Sequence, residues 1–140
     1  MKKIVVVGVA IVILLLAGVS GATNTEKEKS AVTAAKKWLT LIDAGKYAES
    51  WQESAEYFRN AVQQEQWEQM LQSVRTPLGK VISRKVKTAV YQTSLPGAPD
   101  GQYFVIQFVT SFQNKKSAVE TVTPMFDTDG HWKVSGYYIK

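Results

Sequence analysis

From Thr23 onward the apolar residues fall first in a helical rhythm and then in a strand rhythm. Ala31, Ala34, Ala35, Trp38, Leu39 and Ile42 recur at three- and four-residue intervals, which puts them on one face of an amphipathic helix. Thr25 with Glu28 forms a capping-box pair at its start, and Gly45 supplies the left-handed residue that ends it. Tyr47, Ala48 and Trp51 predict a short second helix. Phe58, Val62, Trp67, Met70, Leu71 and Val74 predict a third, broken near Asn60. It stops at Thr76-Pro77-Leu78-Gly79, where the proline and glycine forbid continuation.

After Lys80 the pattern changes to β-branched and aromatic residues punctuated by turn signals, the mark of an antiparallel meander. Four strands are predicted, from Val81 to Gln92, Gln102 to Phe112, Ser117 to Phe126 and His131 to Ile139. The second is apolar on both faces, with Phe104, Ile106, Phe108 and Phe112 on one side and Tyr103, Val105 and Val109 on the other. It reads as a central strand covered on both faces or lying at an interface. Pro124 and Gly136 predict bulges that curve the sheet. Helices and strands are segregated, so the fold class is α+β, with N-terminal helices packed on a curved four-stranded antiparallel sheet.

The first residues read as targeting. Lys2 and Lys3 form a positive start, Ile4 to Val19 is an apolar run, and Ser20-Gly21-Ala22 offers small residues for cleavage. Sixteen apolar residues would span about 24 Å as a helix, short of the roughly 30 Å hydrocarbon core, which favours a cleaved signal over a retained anchor. The expected organisation is a signal peptide over 1–22 and one domain over 23–140, periplasmic or secreted, with no membrane span after cleavage.

Composition narrows the chemistry. The 140 residues hold no cysteine and one histidine, His131, which excludes a cysteine nucleophile, a thiolate zinc site, a histidine-rich metal site and disulfides. No metal or cofactor is expected. Thr23 to Val74 carries six basic and eight acidic residues, whereas Arg75 to Lys140 carries nine basic and four acidic. A basic half suits an anionic partner, but export and the lack of any nucleic-acid motif argue against nucleic acid. Arg75, Lys80, Arg84, Lys85 and Lys87 lead into and along the first strand, where lysines on an edge discourage pairing with another sheet.

Arg84 and Glu120 are the charges that share strand parity with apolar neighbours: Ile82, Val86 and Val90 for the arginine, Ala118 and Val122 for the glutamate. Charges aimed at a core face need partners, so the two form an ion pair if strand pairing joins them, or jointly line a ligand pocket. Asp43, at the unfavourable end of the first helix dipole, calls for compensation from its own turn or from Lys46. Trp38, Trp51, Trp67 and Trp132 read mainly as core, with Trp51 and the pair Tyr137 and Tyr138 placed to reach a cavity mouth. His131 follows a turn glycine and reads as an exposed residue at a strand start.

The stretch Trp38-Leu39-Thr40-Leu41-Ile42-Asp43-Ala44-Gly45-Lys46-Tyr47-Ala48-Glu49-Ser50-Trp51 resembles the opening helices of nuclear-transport-factor-2-like domains of the cystatin-like superfamily. A wider set resembles the exported bacterial family of domain of unknown function 4019. It comprises Arg75 with Pro77-Leu78-Gly79, Arg84, Leu95 to Gly101, Phe112 with Lys115, Glu120, and Asp129-Gly130 with Trp132, Val134 and Gly136-Tyr137-Tyr138. The resemblance implies a cone-shaped fold and supplies no catalytic residues. The leading expectation is therefore a non-catalytic module binding a small ligand or an envelope protein through the concave sheet face, with Arg84, Glu120, Tyr103 and Trp51 as candidate ligand-binding residues. A dehydratase- or isomerase-type enzyme using Glu120 or Asp43 with Tyr103 is the alternative. A homodimer through the sheet is a third reading.

Overall fold

A computed structural model describes residues 23–140; the predicted signal segment lies outside the described residues. Helix α1 (Asn24–Asp43) starts two residues earlier than the Thr25 and Glu28 pair predicts. An identical spacing just upstream takes that role: the Thr23 hydroxyl accepts from Glu26 N at 3.2 Å, and the Glu26 carboxylate accepts from Thr23 N at 3.3 Å. At the other end Lys46 N donates to Leu41 O and Gly45 N to Ile42 O, with Gly45 at φ 74°. This is a Schellman cap, and only glycine takes the left-handed position without strain.

Helices α2 (Tyr47–Gln52), α3 (Glu56–Ala61) and α4 (Gln64–Val74) follow. The predicted third helix is two, broken near Asn60 as expected, at Val62, which is extended (φ −129°, ψ 127°). The break frees the Val62 carbonyl, and Trp51 Nε1 donates to it at 2.7 Å. A single 3-10 turn, Thr76–Leu78, leads to the sheet.

The sheet is a meander in the order β1-β2-β3-β4, every pair antiparallel: β1 (Val81–Gln92), β2 (Tyr103–Phe112), β3 (Lys115–Phe126) and β4 (Trp132–Ile139). The β2–β3 turn contains only Gln113 and Asn114, so β3 begins two residues before the predicted Ser117. Thr123 faces both Ser135 and Gly136, a bulge where Pro124 and Gly136 predict one. A second irregularity, between Val86 and Thr88 in β1, is silent in the sequence and moves Val90 to the face opposite Arg84. Ile82 likewise falls in a bulge and is 63% exposed, so Val86 alone of the three predicted companions stays beside Arg84.

The helices cover one face of the sheet. Ala31, Ala35, Trp38, Leu39 and Ile42 of α1 meet Phe104, Ile106, Phe108, Val122 and Val134, with Trp67 and Leu71 of α4 closing the core. The indoles inside this layer are polar at one atom, and the fold provides for it: Trp38 Nε1 donates to Ser50 O at 2.8 Å and Trp67 Nε1 to Ser50 Oγ at 2.9 Å. The middle of the inner face is thus filled, and its rim is what stays open. The opposite face of β2 is covered only at Tyr103, while Val109 is 47% exposed, so the expectation of a strand buried on both faces holds at one end only. Among the described residues no helix is long and apolar enough to cross a membrane.

Candidate functional site

The site grows from the end of the sheet where β1 begins. Gly79 (φ 76°, ψ −157°) turns the chain from the 3-10 turn into β1, and Asn114 N of the β2–β3 turn donates to Leu78 O at 2.9 Å. The positive φ requires glycine, and a Cβ at Gly79 would also stand 2.9 Å from Gln113 Oε1 and 3.0 Å from Gln113 Cβ. This docking sets Arg75, at the end of α4, and Arg84, on β1, beside the C-terminal turn of α1.

Arg84 is forked on two sides. Its Nε and Nη2 donate to Glu120 Oε1 and Oε2 at 2.7 and 3.2 Å, while Nη1 and Nη2 donate to Asp43 Oδ2 and Oδ1 at 2.8 and 3.0 Å. Only a planar guanidinium can meet two carboxylates in this way. Arg75 donates from Nη2 to Asp43 Oδ1 at 3.0 Å and from Nη1 to Gly79 O at 2.7 Å, and its guanidinium carbon stands 4.5 Å from the centre of the Phe112 ring. Glu120 is completely buried and also accepts from Thr110 Oγ1 at 2.6 Å and from the Tyr137 hydroxyl. Its two oxygens therefore face four donors, the full lone-pair capacity of a carboxylate.

Two guanidiniums balance two carboxylates. Burial alone would raise the Asp43 carboxyl, but the hydrogen bonds and charges of Arg84 and then Arg75 outweigh it and hold Asp43 below its ordinary value. Burial would lower Arg84, and Asp43 and Glu120 reverse this, fixing the guanidinium as a cation. Tyr137 is pushed well up, by burial first and by the Glu120 charge next, so its phenol stays protonated and donating.

The expected meeting of Arg84 and Glu120 occurs, but not through paired strands: β2 lies between them, and the guanidinium crosses it at Thr110, the register partner of Arg84. Asp43 is compensated by Arg75 and Arg84 rather than by Lys46 or its own turn, because the helix end abuts the sheet edge. Arg75, read in the sequence as part of a basic edge, is 4% exposed; Lys80, Lys85 and Lys87 are exposed.

Tyr103 and Trp51 do not join this cluster. Tyr103 lies on the other face at the far end of β2, packed with Ala55 and Met125, its hydroxyl donating to Pro99 O at 2.5 Å. Trp51 is half-buried in the helical layer. His131 is exposed just before β4. Thr110 is the member the sequence left without any role, and Tyr137, read as reaching a cavity mouth, instead donates to buried Glu120. Their polar atoms sit among core residues, and only the register reveals what they face. No group of three metal-ligating side chains occurs among the described residues.

A family model described as "Protein of unknown function (DUF4019)" matches residues 34–137. The chain belongs to this family. The DUF4019 match takes in all six network residues, from Asp43 to Tyr137, and omits the part of α1 before residue 34. No curated protein and no solved structure matches the chain.

Proposed function

We propose that this DUF4019 domain is a non-catalytic binding module, exported by cleavage after Ala22 to the periplasm or beyond, with a nuclear-transport-factor-2-like ancestry suggested by the Trp38 to Trp51 stretch. The observation that carries the non-catalytic reading is the saturation of Glu120: buried, with four donors on two oxygens, it has no free lone pair with which to take a proton. Asp43 is likewise held as a carboxylate between two arginines, the opposite of what a general acid needs. The network then serves as a clamp that fastens α1 and the end of α4 to all four strands, and binding falls to the open rim of the inner face, where a small ligand or an envelope protein would dock.

The test is native mass spectrometry of the protein isolated from the envelope fraction of its own host. A mass beginning at Thr23 with a retained small molecule or partner is the expected result. A bare protein still carrying residues 1–22 would contradict both the export and the binding role.

A further inference from the structure

The side of α1 away from the charge network faces the start of β4 across a cleft of about 880 Å³, a size suited to a small organic ligand. On the helix, Lys27, Ser30, Ala34 and Lys37 follow one another at intervals of three, four and three, so they share a flank. Ser30 and Ala34 are small and leave the space; Lys27 and Lys37 stand at its two ends, about 15 Å apart along the helix axis. The facing wall is aromatic: half-buried Trp132 packs against Phe126, with ring centres 5.4 Å apart and Phe126 41% exposed.

Donors outnumber acceptors there. Lys27, Lys29 and Lys37 form no ion pair among the described residues, and the one lining carboxylate, Glu26, already accepts from the backbone of Thr23. The indole N–H groups of Trp38, Trp51 and Trp67 all donate within the protein. Trp132 makes no such bond among the described residues, although it lines the cleft. Lys27 Nζ stands 6.0 Å from the centre of the Tyr91 ring but has no carboxylate partner. A wall of flat apolar surface with ammonium groups that lack a counter-charge and a free indole donor matches one kind of occupant: an apolar ring or planar body that carries a negative group. The adjoining cleft of about 620 Å³ shares Lys37 and Trp132 but is edged by Glu49 and Glu53, which directs the negative end of a ligand toward Lys27 and Lys37.

We propose that the cleft between α1 and the start of β4 is a binding site for a small amphipathic anion, a carboxylate attached to a planar apolar body, stacked on Trp132 with its negative end taken by one of the two flanking ammonium groups, Lys27 or Lys37. The assignment rests on the reading of the protein as a binding module and names the site and ligand class.

The experiment uses the 140-residue protein and follows the four described indole N–H resonances by NMR, with Trp132 assigned from Trp132→Phe. Naphthalene-2-carboxylate is expected to shift the Trp132 resonance saturably, and the uncharged naphthalene-2-carboxamide at least about tenfold more weakly. Lys27→Glu with Lys37→Glu is expected to weaken the carboxylate by at least about tenfold in a protein that stays folded, as its unshifted Trp38 and Trp67 indole resonances report. Equal affinity for acid and amide, no saturable shift, or undiminished binding by the double variant each overturns the assignment. The two readings separate: a ligand retained from the host by the double variant as well as by the wild type upholds the module and removes this cleft, whereas carboxylate binding here by a protein that leaves its host bare upholds the cleft and removes the module.

Discussion

Arg84 reaches Glu120 across a strand that pairs with both of theirs, at 2.7 Å, passing over Thr110. A longer side chain in place of Thr110 would block the guanidinium, and the threonine hydroxyl instead adds a fourth donor to the same carboxylate. Breaking a buried pair of this kind leaves a charge without its counter-charge. Glu120→Ala is therefore expected to cost about 3 to 5 kcal/mol, read as a fall in the urea midpoint with an unchanged slope.

Asp43 gives a dependence on acid. Its folded value lies below the ordinary 3.8, so the stability it contributes is full above that pH and is lost as pH falls through the lower folded value. Asp43→Asn is expected to be less stable than wild type at neutral pH, with the gap narrowing when the pH is taken below 3.8. Urea midpoints of the two proteins at both pH values check it; a constant gap would mean that the carboxylate charge plays no part.

Tyr137 gives a dependence on alkali. Its phenol is raised above the ordinary 10.0 by burial and by Glu120, so its contribution is intact below that value and is eroded as pH rises beyond it. Tyr137→Phe removes one donor to a charged acceptor and is expected to cost about 1.5 to 3 kcal/mol at neutral pH. The variant's stability should fall less steeply than the wild type's above pH 10.0, and in the wild type the phenolate absorbance of this residue should appear only with unfolding.

Gly79 carries the geometry that brings the arginines together. With φ 76° and a would-be Cβ at 2.9 Å from Gln113 Oε1, Gly79→Ala meets both a disfavoured backbone region and a contact. A loss of about 1 to 3 kcal/mol is expected, measured by thermal unfolding; Gly97→Ala, at a similar φ in open space, should lose less.

Much of this was legible in the sequence where the signal is local. The β1 limits fall on Val81 and Gln92, and the β3–β4 bulge lies at Pro124 and Gly136, because residue type and turn chemistry act within a few positions. Arg84 and Glu120 stood out because a charge among alternating apolar residues asks for a partner. What was hidden is long-range: Asp43 lies 41 residues from Arg84 and 32 from Arg75, and only the docking of α1 on the sheet edge brings them together. The irregularity at Lys87 was silent too, since no glycine or proline marks it, yet it changes which face Val90 occupies.

The central claim is that the Arg84 and Glu120 pair is a clamp and not a ligand site, and a double-mutant cycle tests it most directly. Arg84→Met, Glu120→Leu and the double variant would be compared by urea unfolding, alongside their retention of any ligand carried from the host. Each single change is expected to destabilise strongly, the double to cost clearly less than the two added together, and ligand retention by the folded double variant to be unchanged. Single variants as stable as wild type that lose the ligand would contradict the account and return these residues to a binding site.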